Sequence, residues 1–180
     1  MQNQSYSVEF NNEERPESSN GLFALRGELD GKDQNEQSNL TRFIGIKAAK
    51  DELLFPLNDI AEIIMFQKLT FVPRSPRHVL GVINLRGQIL PAISLRSVFN
   101  LEKCPTFKTQ RIVITRLNNI MVGLLVDSIT NVIPIPETDV QPHSMSGSVG
   151  RSQFISAVAK RENNILGVLG IRKIISEVTN

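Results

Sequence analysis

The sequence predicts an all-β chain of two similar small barrels, and three observations carry that expectation. From Thr41 onward, Ile, Val and Leu gather in apolar runs of four to eight residues separated by turn signals, which is the spacing of short strands. The longest such run, 120–126, is of strand length and far short of the roughly 20 apolar residues of a membrane helix. The same succession of runs then occurs a second time.

In chain order the expected elements are a strand over 42–49, a turn at Lys50-Asp51, a strand over 53–57, the pair Asn58-Asp59 and an apolar segment over 60–66. A loop bounded by Pro73 and Pro76 leads to strands over 80–85 and 88–94, joined by Arg86-Gly87, where glycine supplies the positive φ of a tight hairpin. A helical turn over 95–99 and a linker around Pro105 follow. Strands over 111–117 and 120–126 are joined by Asn118-Asn119, a residue type that tolerates left-handed turns. Next come a strand over 129–135, a loop with Pro136, Pro142 and Gly147, strands over 154–160 and 164–169 around Glu162-Asn163, and a terminal helix over 171–178.

The repetition can be written residue by residue. Phe55-Pro56-Leu57-Asn58-Asp59-Ile60-Ala61-Glu62-Ile63-Ile64 lies 69 residues before Leu124-Leu125-Val126-Asp127-Ser128-Ile129-Thr130-Asn131-Val132-Ile133. Likewise Ile89-Leu90-Pro91-Ala92-Ile93-Ser94-Leu95-Arg96 lines up with Ile165-Leu166-Gly167-Val168-Leu169-Gly170-Ile171-Arg172. A long unit occurring twice implies two related β units, approximately 41–109 and 110–178, not a solenoid. Closing each five-stranded unit into a barrel removes the exposed edges that invite aggregation.

Charge divides the chain differently. Residues 1–40 carry eight acids and three bases, are rich in Asn, Gln, Glu, Ser and Gly, and read as a flexible acidic arm whose one apolar cluster is Leu22-Phe23-Ala24-Leu25. The remaining 140 residues carry ten acids and seventeen bases. That excess motivates a nucleic-acid reading, but the bases are scattered singly, and one Tyr and no Trp leave little aromatic platform for stacking bases. The start Met1-Gln2-Asn3-Gln4-Ser5 has neither a basic head nor an apolar run, so no secretory signal or membrane insertion is expected.

Catalytic chemistry finds little to work with. Two histidines 65 residues apart and a single cysteine, Cys104, assemble no zinc spacing and no nucleophile triad. Asp127, at a strand end between Val126 and Ser128, reads as a turn residue, not a general base. Gly81 and Gly87 are not followed by the Lys and helix of a phosphate loop, and Met145-Ser146-Gly147-Ser148-Val149-Gly150 reads as a flexible loop. The chain is expected to be no enzyme and to hold no metal or cofactor.

The stretch Val79-Leu80-Gly81-Val82-Ile83-Asn84-Leu85-Arg86-Gly87-Gln88-Ile89-Leu90-Pro91-Ala92-Ile93-Ser94-Leu95-Arg96 resembles the signature of the CheW family of chemotaxis adaptors, a domain found also at the regulatory end of CheA kinases. The likeness extends over roughly 41–178, through 43–64 and Val122-Gly123-Leu124-Leu125-Val126-Asp127. It implies two intertwined five-stranded SH3-like barrels around a shared core, with short helices and a C-terminal helix. It implies, too, a cytoplasmic, non-catalytic adaptor coupling the signalling tip of a methyl-accepting receptor to the regulatory domain of a CheA-type histidine kinase.

By the same resemblance Arg86, with Asn84 and Gly87 in the turn, and Ile60, Glu62 and Gly81 face or support the receptor. Local readings stand beside each. Arg86 can fork onto a partner's carboxylate or pair with a nearby acid. Asn84 can stabilise its own turn, Glu62 can be recognised or merely solvated, and Ile60 with Ile64 can belong to the core. Ser94 and Gly170 stand where the family commonly has Asp before Leu-Arg and Ile-Arg, so loss of local salt bridges is expected at both.

Overall fold

A computed structural model describes residues 39–102, 108–117, 120–143 and 150–179, with side chains to Ser176. The expectations for the acidic arm, Cys104, the Asn118-Asn119 turn and 145–149 lie outside the described residues. The described residues form eleven strands and two α-helices. The first half holds β1 (Leu40–Ala48), β2 (Asp51–Pro56), a 3-10 turn (Leu57–Asp59), β3 (Ile60–Met65), β4 (Val79–Leu85), β5 (Gln88–Ser94) and α1 (Leu95–Val98). The second holds β6 (Arg111–Leu117), β7 (Ile120–Val126), β8 (Ser128–Pro136), a 3-10 turn (Glu137–Asp139), β9 (Val140–Pro142), a 3-10 helix (Gly150–Phe154), β10 (Ile155–Arg161), β11 (Asn164–Leu169) and α2 (Ile171–Thr179).

The fold is all-β, and its sheets are nested. One five-stranded sheet, in the order β3-β6-β7-β5-β4, is built from a continuous piece of chain. The other, β8-β1-β2-β11-β10-β9, is built from what comes before and after that piece. The sheets therefore do not divide the chain at residues 109 and 110, where the repeat does. Instead the chain crosses between sheets twice, at the 3-10 turn after β2 and at Asp127 between β7 and β8. Each copy lends its first two strands to one sheet and the rest to the other, three from the first copy and four from the second.

The six-stranded sheet exceeds the expected five through β9, which pairs with β10 at Pro142↔Ala157, Gln141↔Val158 and Val140↔Ala159. Proline lacks the ladder N–H, so Pro142 fits only because β9 is an edge. In the other sheet the equivalent edge shrinks to one bridge, Thr70↔Val82, with backbone N–H···O distances of 2.9 and 2.8 Å.

Apolar residues on both faces of the central strands fill three clusters. Phe43, Leu54, Ile133, Ile135, Ala159 and Val168 pack within the six-stranded sheet, and Ile83, Leu90, Ala92, Ile112 and Ile114 within the five-stranded one. Their neighbours along the same strands turn the other way. Ile44, Leu53, Phe55, Ile93, Val113, Val122, Leu124 and Leu169 build one shared core between the sheets, closed by Leu95, Val98, Ile171 and Ile174 of the helices. Burial on both faces explains why β6 and β7 read as nearly unbroken apolar runs.

Ser94 caps α1, its Oγ accepting the Ser97 N–H at 3.2 Å. Ser94 offers Arg96 no carboxylate, and Arg96 finds one elsewhere in the chain. Arg96 donates from Nε to both carboxylate oxygens of Asp127, at 2.8 and 2.9 Å, and its Nη2 stands 2.8 Å from Oδ2. The partner comes from a strand end 31 residues on, beyond the reach of local reasoning.

Candidate interaction surface

The β4–β5 hairpin is tight because Leu85 pairs with Gln88, leaving two residues to turn the chain. Both are left-handed, Arg86 at φ 51° and Gly87 at φ 89°, as a type I′ turn requires. Asn84 stabilises this turn locally: its Oδ1 accepts the Gly87 N–H at 2.8 Å.

Arg86 projects from the tip with its side chain 80% exposed, and its Nη2 donates to Glu62 Oε1 at 2.9 Å. Glu62 lies on β3, the strand at the opposite edge of the same sheet from β4. The sheet thus curls until its edges meet across this ion pair. The guanidinium has five N–H donors in a planar fork, so one bond to Glu62 leaves it able to engage a further acceptor.

The other residues named with Arg86 in the sequence reading lie in or against the sheet. Ile60 is half-buried, pairs with Thr115 on β6 and packs against the shared core. Ile64 packs against the cluster inside the five-stranded sheet. Gly81 is buried at a bulge in β4 with φ 147°, and a Cβ there would lie 2.3 Å from the Thr70 carbonyl oxygen. Its missing side chain is what lets the segment carrying Thr70 bridge β4.

A second charged cluster was only partly foreseen. Asp127 accepts from Arg96 and also from the Ala49 N–H at 2.6 Å, while its own N–H bonds the Lys47 carbonyl at 3.0 Å. Arg96 further donates to the Glu102 carbonyl at 3.0 Å. Asp127 and Arg96 are mostly buried, so this cluster holds the strand crossover and is not offered to a partner. Among the described residues, no group of three or more His, Cys, Asp or Glu could hold a metal ion, and no helix is long and apolar enough to cross a membrane.

Comparison with known proteins turns on the same stretch of chain. The CheW-like domain family matches residues 42–179. The chain belongs to the CheW family. It is 31% identical to the chemotaxis protein CheW of Helicobacter pylori over 147 residues, covering 82% of this chain and 88% of that protein. With the CheW of Thermotoga maritima it shares 32% over 127 residues, covering 71% and 82% respectively. The scaffolding protein TtCheW of Thermoanaerobacter tengcongensis superimposes with a TM-score of 0.69 at 25% identity, over 78% of this chain and 90% of that one. CheW membership makes the chain an adaptor of bacterial chemotaxis-type signal transduction, and its charged clusters are to be read as recognition or scaffolding features.

Proposed function

We propose that this CheW-family chain works in the cytoplasm as a non-catalytic coupler, joining the signalling tip of a methyl-accepting receptor to the regulatory domain of a CheA-type histidine kinase. The observation that carries the receptor half is the exposed yet braced guanidinium of Arg86. Asn84 and Gly87 set the turn, Glu62 steers the side chain from the far edge of the sheet, and the fork keeps free donors. Ile60 and Gly81 act one layer deeper, holding β3 and β4 where the pair can form. Pre-set geometry lowers the ordering cost of binding, the main advantage of a fixed side chain over a mobile one.

The kinase half rests on the sequence, in which the bases of residues 41–180 are scattered singly. On this reading affinity comes from buried apolar area and main-chain pairing along sheet edges, so kinase binding is expected to survive moderate salt. A fall of several orders of magnitude between low and physiological salt would replace this picture with an electrostatic interface.

Arg86→Ala tests the receptor half. Its truncation is expected to change stability by no more than about 0.5 kcal/mol, because the Arg86 side chain is largely exposed. Loss of a forked anchor costs about 2 kcal/mol of binding, roughly a thirtyfold weakening. Thermal melting and separate titrations against a receptor signalling fragment and the kinase regulatory domain measure the two effects. Unchanged receptor affinity removes Arg86 from the interface.

A further inference from the structure

The β4–β5 and β10–β11 hairpins share one backbone design and carry opposite charges at their tips. Both turn in two residues, between Leu85 and Gln88 in the first and between Arg161 and Asn164 in the second. The first turn residue is left-handed in each, Arg86 at φ 51° and Glu162 at φ 53°. Three residues further on, each hairpin shows an isoleucine to water, Ile89 at 71% and Ile165 at 74% exposed. A single exposed isoleucine needs no partner, so the polar groups around it have to decide whether one exists.

Those groups are arranged with reversed signs. Beside Ile89 the tip is Arg86, held by Glu62 through one bond that leaves the guanidinium with free donors. Beside Ile165 the tip is Glu162, and Lys160 pairs with Ile165 across the ladder, which sets both on the same face. Glu162 and Lys160 are exposed, and among the described residues neither side chain has a hydrogen-bond or ion-pair partner. Asn131 is the residue matched to Glu62 in the repeat, so the second hairpin has no charged brace of that kind. Arg161 alternates to the other face of its strand, and Asp51, level with Ile165 on β2, is already ion-paired with Arg151.

We infer that the Glu162 hairpin of one molecule docks on the Arg86 hairpin of a second molecule of this chain. Arg86 meets Glu162, Lys160 meets the Glu62 carboxylate, and Ile165 lies against Ile89. The reversed charges are what select this occupant. Two Arg86 hairpins face to face would oppose like charges at their tips, whereas an Arg86 and a Glu162 hairpin satisfy free groups on both sides. Two different patches make the contact heterologous, so a pair of molecules keeps one unused hairpin of each kind, and association continues unless it closes on itself. Exposed ion pairs hold weakly, so the contact forms at high local concentration and loosens as salt rises. A molecule held in this way has Arg86 covered, and a receptor tip then competes with the second molecule for it. That consequence rests on the receptor-facing reading of Arg86; the contact itself does not.

The test is sedimentation equilibrium of the full chain over a range of concentrations, as wild type, Arg86→Glu, Glu162→Arg and Ile165→Ser, with thermal midpoints alongside. Wild type is expected to associate with rising concentration, and each variant to associate about tenfold more weakly with its midpoint unchanged. An equimolar mixture of Arg86→Glu and Glu162→Arg is expected to recover association, because the two reversed charges face each other across the mixed contact. A wild type that stays monomeric up to about 1 mM overturns the inference. Association that neither charge reversal weakens overturns it too, as does a mixture that fails to recover. If Arg86→Glu lowers the midpoint, Glu162→Arg and Ile165→Ser decide alone, and undiminished association or lost folding in both overturns the contact. A purified receptor signalling fragment is expected to dissolve the associated wild type. Should the fragment bind without dissolving it, the contact stands and the receptor-facing reading of Arg86 falls.

Discussion

The two places where the chain passes from one sheet to the other solve the same problem with different chemistry. At the β7–β8 crossover the Asp127 carboxylate takes a bidentate bond from Arg96 and an amide bond from Ala49. At the β2–β3 crossover the acid stands one position later, since Asn58 aligns with Asp127 and Asp59 with Ser128. There the backbone is fastened instead: the buried Thr115 hydroxyl donates to the Asp59 carbonyl at 2.6 Å. The Asp59 carboxyl is pushed above its ordinary value by desolvation, partly offset by the positive charge of Arg172. A shift of one residue thus converts a charged clasp into a neutral one. Duplicated strands keep a common architecture while their polar fastenings diverge.

The largest effect is expected at the charged clasp. Asp127→Ala removes the carboxylate from a mostly buried guanidinium and leaves the Ala49 N–H without this acceptor, at a cost of about 2–3 kcal/mol in urea denaturation. A cost below that of the neutral crossover would reverse the ranking of the two. Gly81→Ala follows at about 2 kcal/mol, since a left-handed φ combines with a collision against Thr70. Its counterpart in the repeat, Ala157, carries a side chain beside β9 at no such penalty, so a silent Gly81→Ala would mean that the two edges are interchangeable.

Thr115→Val keeps the shape and removes the hydroxyl, and is expected to cost about 1 kcal/mol by the same measurement. The smallest effect concerns pH. Because folding raises the Asp59 carboxyl above 3.8, its contribution is fully present below that value and is lost as pH rises through the carboxylate range. Asp59→Asn should therefore gain stability relative to wild type as pH increases across that range. A gain on acidification instead would mean that Arg172 outweighs burial.

Much of this was legible along the chain. The strands over 88–94, 111–117, 120–126 and 164–169 coincide with β5, β6, β7 and β11, because period and turn residues are local signals. The Arg86-Gly87 turn was legible for the same reason. What stayed hidden was β9, three residues ending in proline with too little pattern to distinguish a strand from a loop. Hidden too was the carboxylate partner of each arginine. Asn84 and Gly87 signal their own bond across three residues, whereas Arg86 and Glu62 meet only because a sheet curls, and Arg96 and Asp127 only because strands change sheets.

By itself the sequence determined that this is an all-β chain with a duplicated strand pattern, a tight hairpin at Arg86-Gly87 and a signature resembling the CheW family. Those are properties of neighbouring residues, read from periodicity and turn chemistry. Only the tertiary structure decided that the copies exchange strands, that one sheet is nested within the other, and that Arg86 meets Glu62 and Arg96 meets Asp127. Strand pairing joins residues far apart in the chain, and the burial that selects one register over another exists only once both faces of the central strands are covered.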